Sequence, residues 1–115
     1  MADSGIGMND RALRCELVDV ARAMNSTGLN QGTSGNLSLR IEGGLLVTPS
    51  SLAYDQMEPE DLVAIGFDGQ PLPSGLPGRG RRPSSEWRLH ADVLADRPDA
   101  MAVFHCHPIH ATALA

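Results

Sequence analysis

The 115-residue chain sets nine basic side chains against fourteen acidic ones, a net charge of −5 with histidines neutral, and 42% of its residues are hydrophobic. That balance is near the globular average and argues against wholesale disorder, while the acidic excess excludes the clustered positive field that nucleic acid demands. All the basic residues are Arg, so imine formation on a Lys amine and the Lys of nucleotide-hydrolase phosphate loops are both excluded.

Cys15 and Cys106 are too few for a disulfide scaffold and suit a reducing compartment. The first ten residues hold Asp3 and Asp10 but neither a basic residue nor an apolar run, which argues against a secretory signal. The apolar stretches fall short of the ~20 residues a membrane helix needs. The expectation is a cytoplasmic protein without a membrane or nucleic-acid partner.

Residues 1–7 are expected to be a flexible N-terminus, and residues 8–115 one domain portion. From Asn9 to Thr27, Leu13, Leu17, Ala21 and Met24 recur at helical spacing, and Gly28 stands where a left-handed cap is wanted. A polar loop follows. Leu37, Leu39 and Ile41 then alternate with Ser38 and Arg40, the period of a half-buried strand. Gly43-Gly44 turns the chain into a second strand over Leu45–Thr48, giving a hairpin. Leu62–Phe67 reads as a third strand, closed by Asp68-Gly69. The Pro- and Gly-rich stretch 70–83, with Arg79, Arg81 and Arg82, reads as a solvated surface loop.

Ser84 or Ser85 is placed to cap a helix running to about Asp96, with Trp87, Ala91 and Leu94 on its inner face and Glu86 in its first turn. His90 falls near that inner face and reads as a core histidine. Ala100–Cys106 is a fourth strand, and Pro108 suits the first turn of a helix starting near His107. Helices and strands joined by mostly short links indicate a mixed α/β or α+β layer fold.

The sharpest chemical signal is His105-Cys106-His107 at the end of a strand. Alternate strand residues share a face, and their Cα atoms lie ~6.6 Å apart. Two imidazoles so placed can converge on one Zn²⁺, and the bland alternative is a pair of half-buried, hydrogen-bonded histidines. His110 reads either as a backbone-bonding residue in the next helical turn or as a third ligand. Ser84-Ser85-Glu86 at a helix start suits an anion as well as a simple cap. Gly32-Thr33-Ser34-Gly35-Asn36 and Thr48-Pro49-Ser50-Ser51 are polar segments at strand ends, each weak alone. Cys15 and Tyr54 read as packing residues.

Taken in order, these segments resemble the class II aldolase/adducin family, most nearly its fuculose-phosphate aldolase branch. The resemblance rests on Gln31 through Ser38, Thr48-Pro49-Ser50, Pro83 through His90, Arg97-Pro98-Asp99-Ala100 and His105-Cys106-His107. It covers residues 8–115 and corresponds to the N-terminal part of the family domain. It implies an α/β/α layered fold on a mainly antiparallel sheet, here apparently truncated, and a homotetramer in the complete protein.

It further implies that Gly35, Asn36, Ser50, Ser51, Ser84 and Ser85 gather a substrate phosphate, that His105 and His107 ligate zinc, and that Glu86 is the catalytic acid/base. The implied activity is zinc-dependent retro-aldol cleavage of a small phosphorylated ketose. Alternatives are a sugar-phosphate 4-epimerase or dehydratase on the same scaffold, or a non-catalytic adducin-like interaction domain. Two departures stand out. Ser51 occupies a position where the family pattern has Gly, and the family takes its third zinc histidine from a region beyond Ala115.

Overall fold

The computed structural model describes residues 2–27, 35–73 and 80–105, residues 2–10 by backbone alone. The Gly28 cap, the loop residues Gly32–Ser34, Arg79 and the turn after Cys106 lie outside the described residues. Helix α1 spans Ala2–Ser26, strands β1 to β4 span Asn36–Ile41, Gly44–Val47, Val63–Gly66 and Ala102–His105, and helix α2 spans Trp87–Asp96. Two short 3-10 turns, Tyr54–Gln56 and Pro59–Asp61, link β2 to β3. Helix α1 begins earlier than the periodicity indicates.

The four strands form one antiparallel sheet in the order β3-β2-β1-β4. Its two faces are covered by different helices. Leu17, Val18, Ala21 and Met24 of α1 pack with Leu37, Leu46, Tyr54, Met57, Leu62 and Ala64. On the other face Leu45, Val47 and Ile65 pack with Ala91 and Leu94 of α2. The result is the expected α/β/α layering. The tight hairpin turn depends on its glycines: Gly43 has φ +83°, and a Cβ on Gly44 would run into the Ile65 carbonyl.

One expectation changes. Ser38 and Arg40 alternate with apolar residues, which predicts a wet polar face, yet that face of β1 docks on α2. Ser38 is fully buried, and the Arg40 guanidinium donates to the carbonyls of Leu94, Arg97 and Ala100 at the C-terminal end of α2. Cations at that end of a helix meet its unsatisfied carbonyls, so Arg40 caps a helix from a neighbouring strand. Similarly, Arg14 is buried on α1 and donates to the carbonyls of Pro59 and Leu62 at 2.9 Å each. Arg81 leaves the solvated-loop reading too: its Nε lies 2.7 Å from the buried Asp61 carboxylate.

Antiparallel pairing decides where the candidate site residues meet. The start of β1 lies beside the ends of both β2 and β4, with Asn36 opposite His105 and Ser38 opposite Val47 and Val103. Just past β2, Pro49 bridges Pro83, Ser84 N–H donates to the Thr48 carbonyl, and Ser50 N–H donates to that of Arg82. That stitching brings the start of α2 to the same end of the sheet.

Candidate functional site

Directly opposite residues of an antiparallel pair project to the same face, so Asn36 and His105 stand side by side toward α2. Between them comes Glu86. Ser84 and Ser85 do not cap α2 themselves; Glu86 holds the N-cap position with φ −100° and ψ 21°. The Ser84 hydroxyl accepts from the Glu86 N–H at 3.2 Å, and the Ser84 carbonyl accepts from the Trp87 N–H at 3.0 Å. This turn lifts Glu86 off the first turn of the helix and aims its side chain at the sheet.

The Glu86 Oε1 atom accepts from the Asn36 amide at 2.8 Å and lies 2.8 Å from His105 Nδ1. Its side chain is 44% exposed, so the carboxylate is restrained on one side and open on the other. A group that exchanges protons with a bound molecule needs both properties. His90, one helical turn on, is fully buried beneath it. Its ring nitrogens meet Ser38 Oγ at 2.6 Å and Asn36 Oδ1 at 2.5 Å. Burial first, then the nearby His105, pushes the His90 pKa from 6.5 down to about 4, with Glu86 pulling the other way. His90 is a core histidine as the helical spacing indicates, but a hydrogen-bonded one whose partners that spacing does not reveal.

The other singled-out residues collect at the same end. Thr48 Oγ1 accepts from the Leu37 N–H at 3.1 Å, tying the start of β1 to the segment after β2. Gly35 and Ser84 are buried there, Ser50 is half-buried, and Ser51 and Ser85 are exposed. Ser51 adopts φ +58°, the left-handed region that costs a non-Gly residue roughly 1–2 kcal/mol. The family-pattern Gly at this position therefore matches what the backbone requires, and Ser51 carries strain in its place. Asn36, expected at the anion, has both ends of its amide engaged by Glu86 and His90.

No group of three or more His, Cys, Asp or Glu side chains able to hold a metal ion occurs among the described residues. Glu86 and His105 nevertheless bring a carboxylate oxygen and an imidazole nitrogen together, two donor types that Zn²⁺ takes. The pair is compatible with a divalent metal but supplies fewer than the three protein ligands a catalytic zinc usually takes. His107 and His110 lie outside the described residues.

The layered α/β/α fold thus brings a carboxylate, an imidazole and serine-bearing segments together at one sheet end. The sequence profile of the class II aldolase and adducin N-terminal domain matches residues 15–115, and the chain belongs to that family. It is 50% identical over 105 residues to the 5-methylthioribulose-1-phosphate/5-deoxyribulose-1-phosphate aldolase of Rhodospirillum rubrum, covering 90% of this chain and 44% of that protein.

It is 40% identical over 107 residues to the L-fuculose phosphate aldolase of Escherichia coli K12, covering 93% and 47%. A solved L-fuculose 1-phosphate aldolase superposes with a TM-score of 0.76 at 31% identity, covering 88% and 46%. The chain thus spans a little under half the length of these relatives. Among the described residues no helix is long and apolar enough to cross a membrane.

Proposed function

We propose that the protein is a zinc-dependent aldolase that cleaves a small ketose 1-phosphate by retro-aldol chemistry. The observation that carries this reading is Glu86 Oε1 held 2.8 Å from both Asn36 Nδ2 and His105 Nδ1. The names of the relatives support the substrate class, since methylthioribulose-1-phosphate, deoxyribulose-1-phosphate and fuculose phosphate are all small phosphorylated sugars.

In this reading His105 and His107 hold the zinc, which when bound supplies electrophilic polarisation of the substrate carbonyl. Glu86 exchanges a proton with the carbon next to that carbonyl, through the open side of its carboxylate. Gly35, Ser50, Ser51, Ser84 and Ser85 gather the phosphate, with the exposed hydroxyls of Ser51 and Ser85 as donors, while the Asn36 amide serves Glu86 instead. No Lys occurs in these 115 residues, so within this part of the protein carbanion stabilisation falls to electrostatics rather than to an imine. A cytoplasmic homotetramer belongs to the same reading, and sedimentation of the full-length protein tests its assembly.

The experiment is direct. The full-length protein is assayed with 5-deoxyribulose 1-phosphate and fuculose 1-phosphate for cleavage and, in parallel, for epimerisation. Cleavage is expected, and Glu86→Gln lowers kcat by roughly 10²–10⁴-fold, the usual range for a general acid/base. Calorimetric titration with zinc is expected to show binding that His105→Ala or His107→Ala removes. Absence of zinc affinity, or epimerisation without cleavage, defeats the proposal.

A further inference from the structure

Glu86 and His90 stand four residues apart on one face at the start of α2, while Asn36 and Ser38 stand two apart on one face of β1. A two-residue strand step thereby meets one helical turn, and the four polar side chains interlock. Ser38 and His90 are fully buried and Asn36 nearly so. The order of contacts is Ser38 Oγ to His90 Nδ1, His90 Nε2 to Asn36 Oδ1, and Asn36 Nδ2 to Glu86 Oε1.

The chain has one direction. An ionised carboxylate only accepts, so Asn36 must present its NH₂ to Glu86 and its carbonyl to His90. His90 must then carry its proton on Nε2, which leaves Nδ1 as an acceptor for the Ser38 hydroxyl. Turning the amide over would set its carbonyl against the carboxylate. Each group donates to the next and has one arrangement open to it, the condition under which a buried polar network rigidifies its members.

We propose that Ser38, His90 and Asn36 are positioning residues that orient the Glu86 carboxylate for proton transfer, with the neutral His90 ring committing the Asn36 amide to Glu86. The proposal rests on Glu86 being the acid/base. It differs from the expectation that the Asn36 side chain serves the substrate anion: that amide is spent on the carboxylate, and its orientation is set from the buried side by a histidine that touches no substrate.

Two variants separate positioning from packing. His90→Leu fills the space but cannot donate, whereas His90→Gln can extend an N–H toward the place of Nε2. In the full-length protein, His90→Leu is expected to lower kcat about 10- to 100-fold with KM changed by less than about threefold, the cost of a misplaced reacting group. His90→Gln should recover most of that loss even where its melting temperature is no higher than that of His90→Leu. Ser38→Ala, which removes only the outermost donor, serves if His90→Leu does not fold, and should show the same kcat-weighted loss at smaller size.

Nitrogen NMR of the wild-type ring provides a readout independent of turnover, with the proton expected on Nε2 at neutral pH. The Asn36 amide protons should exchange slowly in the wild type and faster in His90→Leu. A proton on Nδ1, a His90→Gln variant no better than His90→Leu, or a loss carried wholly by KM overturns the proposal. If no ketose phosphate is turned over, the aldolase reading falls, while an Nε2 proton and a protected Asn36 amide still uphold the chain of contacts.

Discussion

Acidification should expose the cost of burying His90. The ring is fully buried with both nitrogens engaged, and its pKa is lowered from 6.5 to about 4 by burial, then by His105, against a weaker pull from Glu86. The folded protein therefore binds fewer protons at this site than the unfolded chain. Its contribution to stability is complete above pH 6.5 and is lost as pH falls from there toward 4. The slope approaches ~1.4 kcal/mol per pH unit, giving about 3 kcal/mol across the window.

That is a large part of the ~5–15 kcal/mol by which domains are stable. Urea unfolding of the wild type and of His90→Gln, measured from pH 7.5 to 4, isolates the effect. All other groups are common to the two proteins, so the difference between the two curves reports the ring. The wild type should lose about 3 kcal/mol more than the variant over this range. Parallel curves would show that His90 accepts a proton in place, and would refute the argument from burial.

Two further outcomes follow from the backbone at Ser51 and from the Asp61–Arg81 ion pair. Ser51→Gly relieves a left-handed residue at φ +58°; against the ~1–2 kcal/mol of relief stands the ~0.4–1 kcal/mol by which Gly loosens the unfolded chain. A net gain of about 0.5–1 kcal/mol in thermal or urea unfolding is expected, and a loss would show that the Ser51 hydroxyl contributes more than its strain costs. Arg81→Ala strips a partner from Asp61, whose carboxylate is buried and also accepts from the Glu58 N–H at 2.8 Å. Because the guanidinium is itself partly in solvent, the loss should be about 1–3 kcal/mol rather than the full cost of a buried broken pair; an unchanged unfolding midpoint would contradict the ion pair.

The strand order was not written in the sequence, but the strands, the hairpin glycines and the inner face of α2 were, because alternation and helical spacing report directly which residues meet a core. The order of Asn36, Glu86 and His105 along the chain was equally visible through the family resemblance. What periodicity misses is a polar residue that faces another element instead of water. Ser38 and Arg40 look like a wet strand face, and only α2 lying across that face makes them a hydrogen-bond donor and a helix cap. Arg81 sits in a stretch whose Pro, Gly and Arg content signals solvent, and its buried partner is twenty residues earlier. Polar contacts between distant segments leave no local pattern to read.

The opposition of Asn36 and His105 across β1 and β4 makes strand alignment a ruler for the chemistry. Sliding β4 by one residue would turn the imidazole to the α1 side, and sliding it by two would carry it ~7 Å along the strand, out of reach of the carboxylate. Assembly errors that leave secondary structure and hydrophobic cover nearly intact would thus part these two side chains. Contact between Glu86 and His105 reports correct strand alignment.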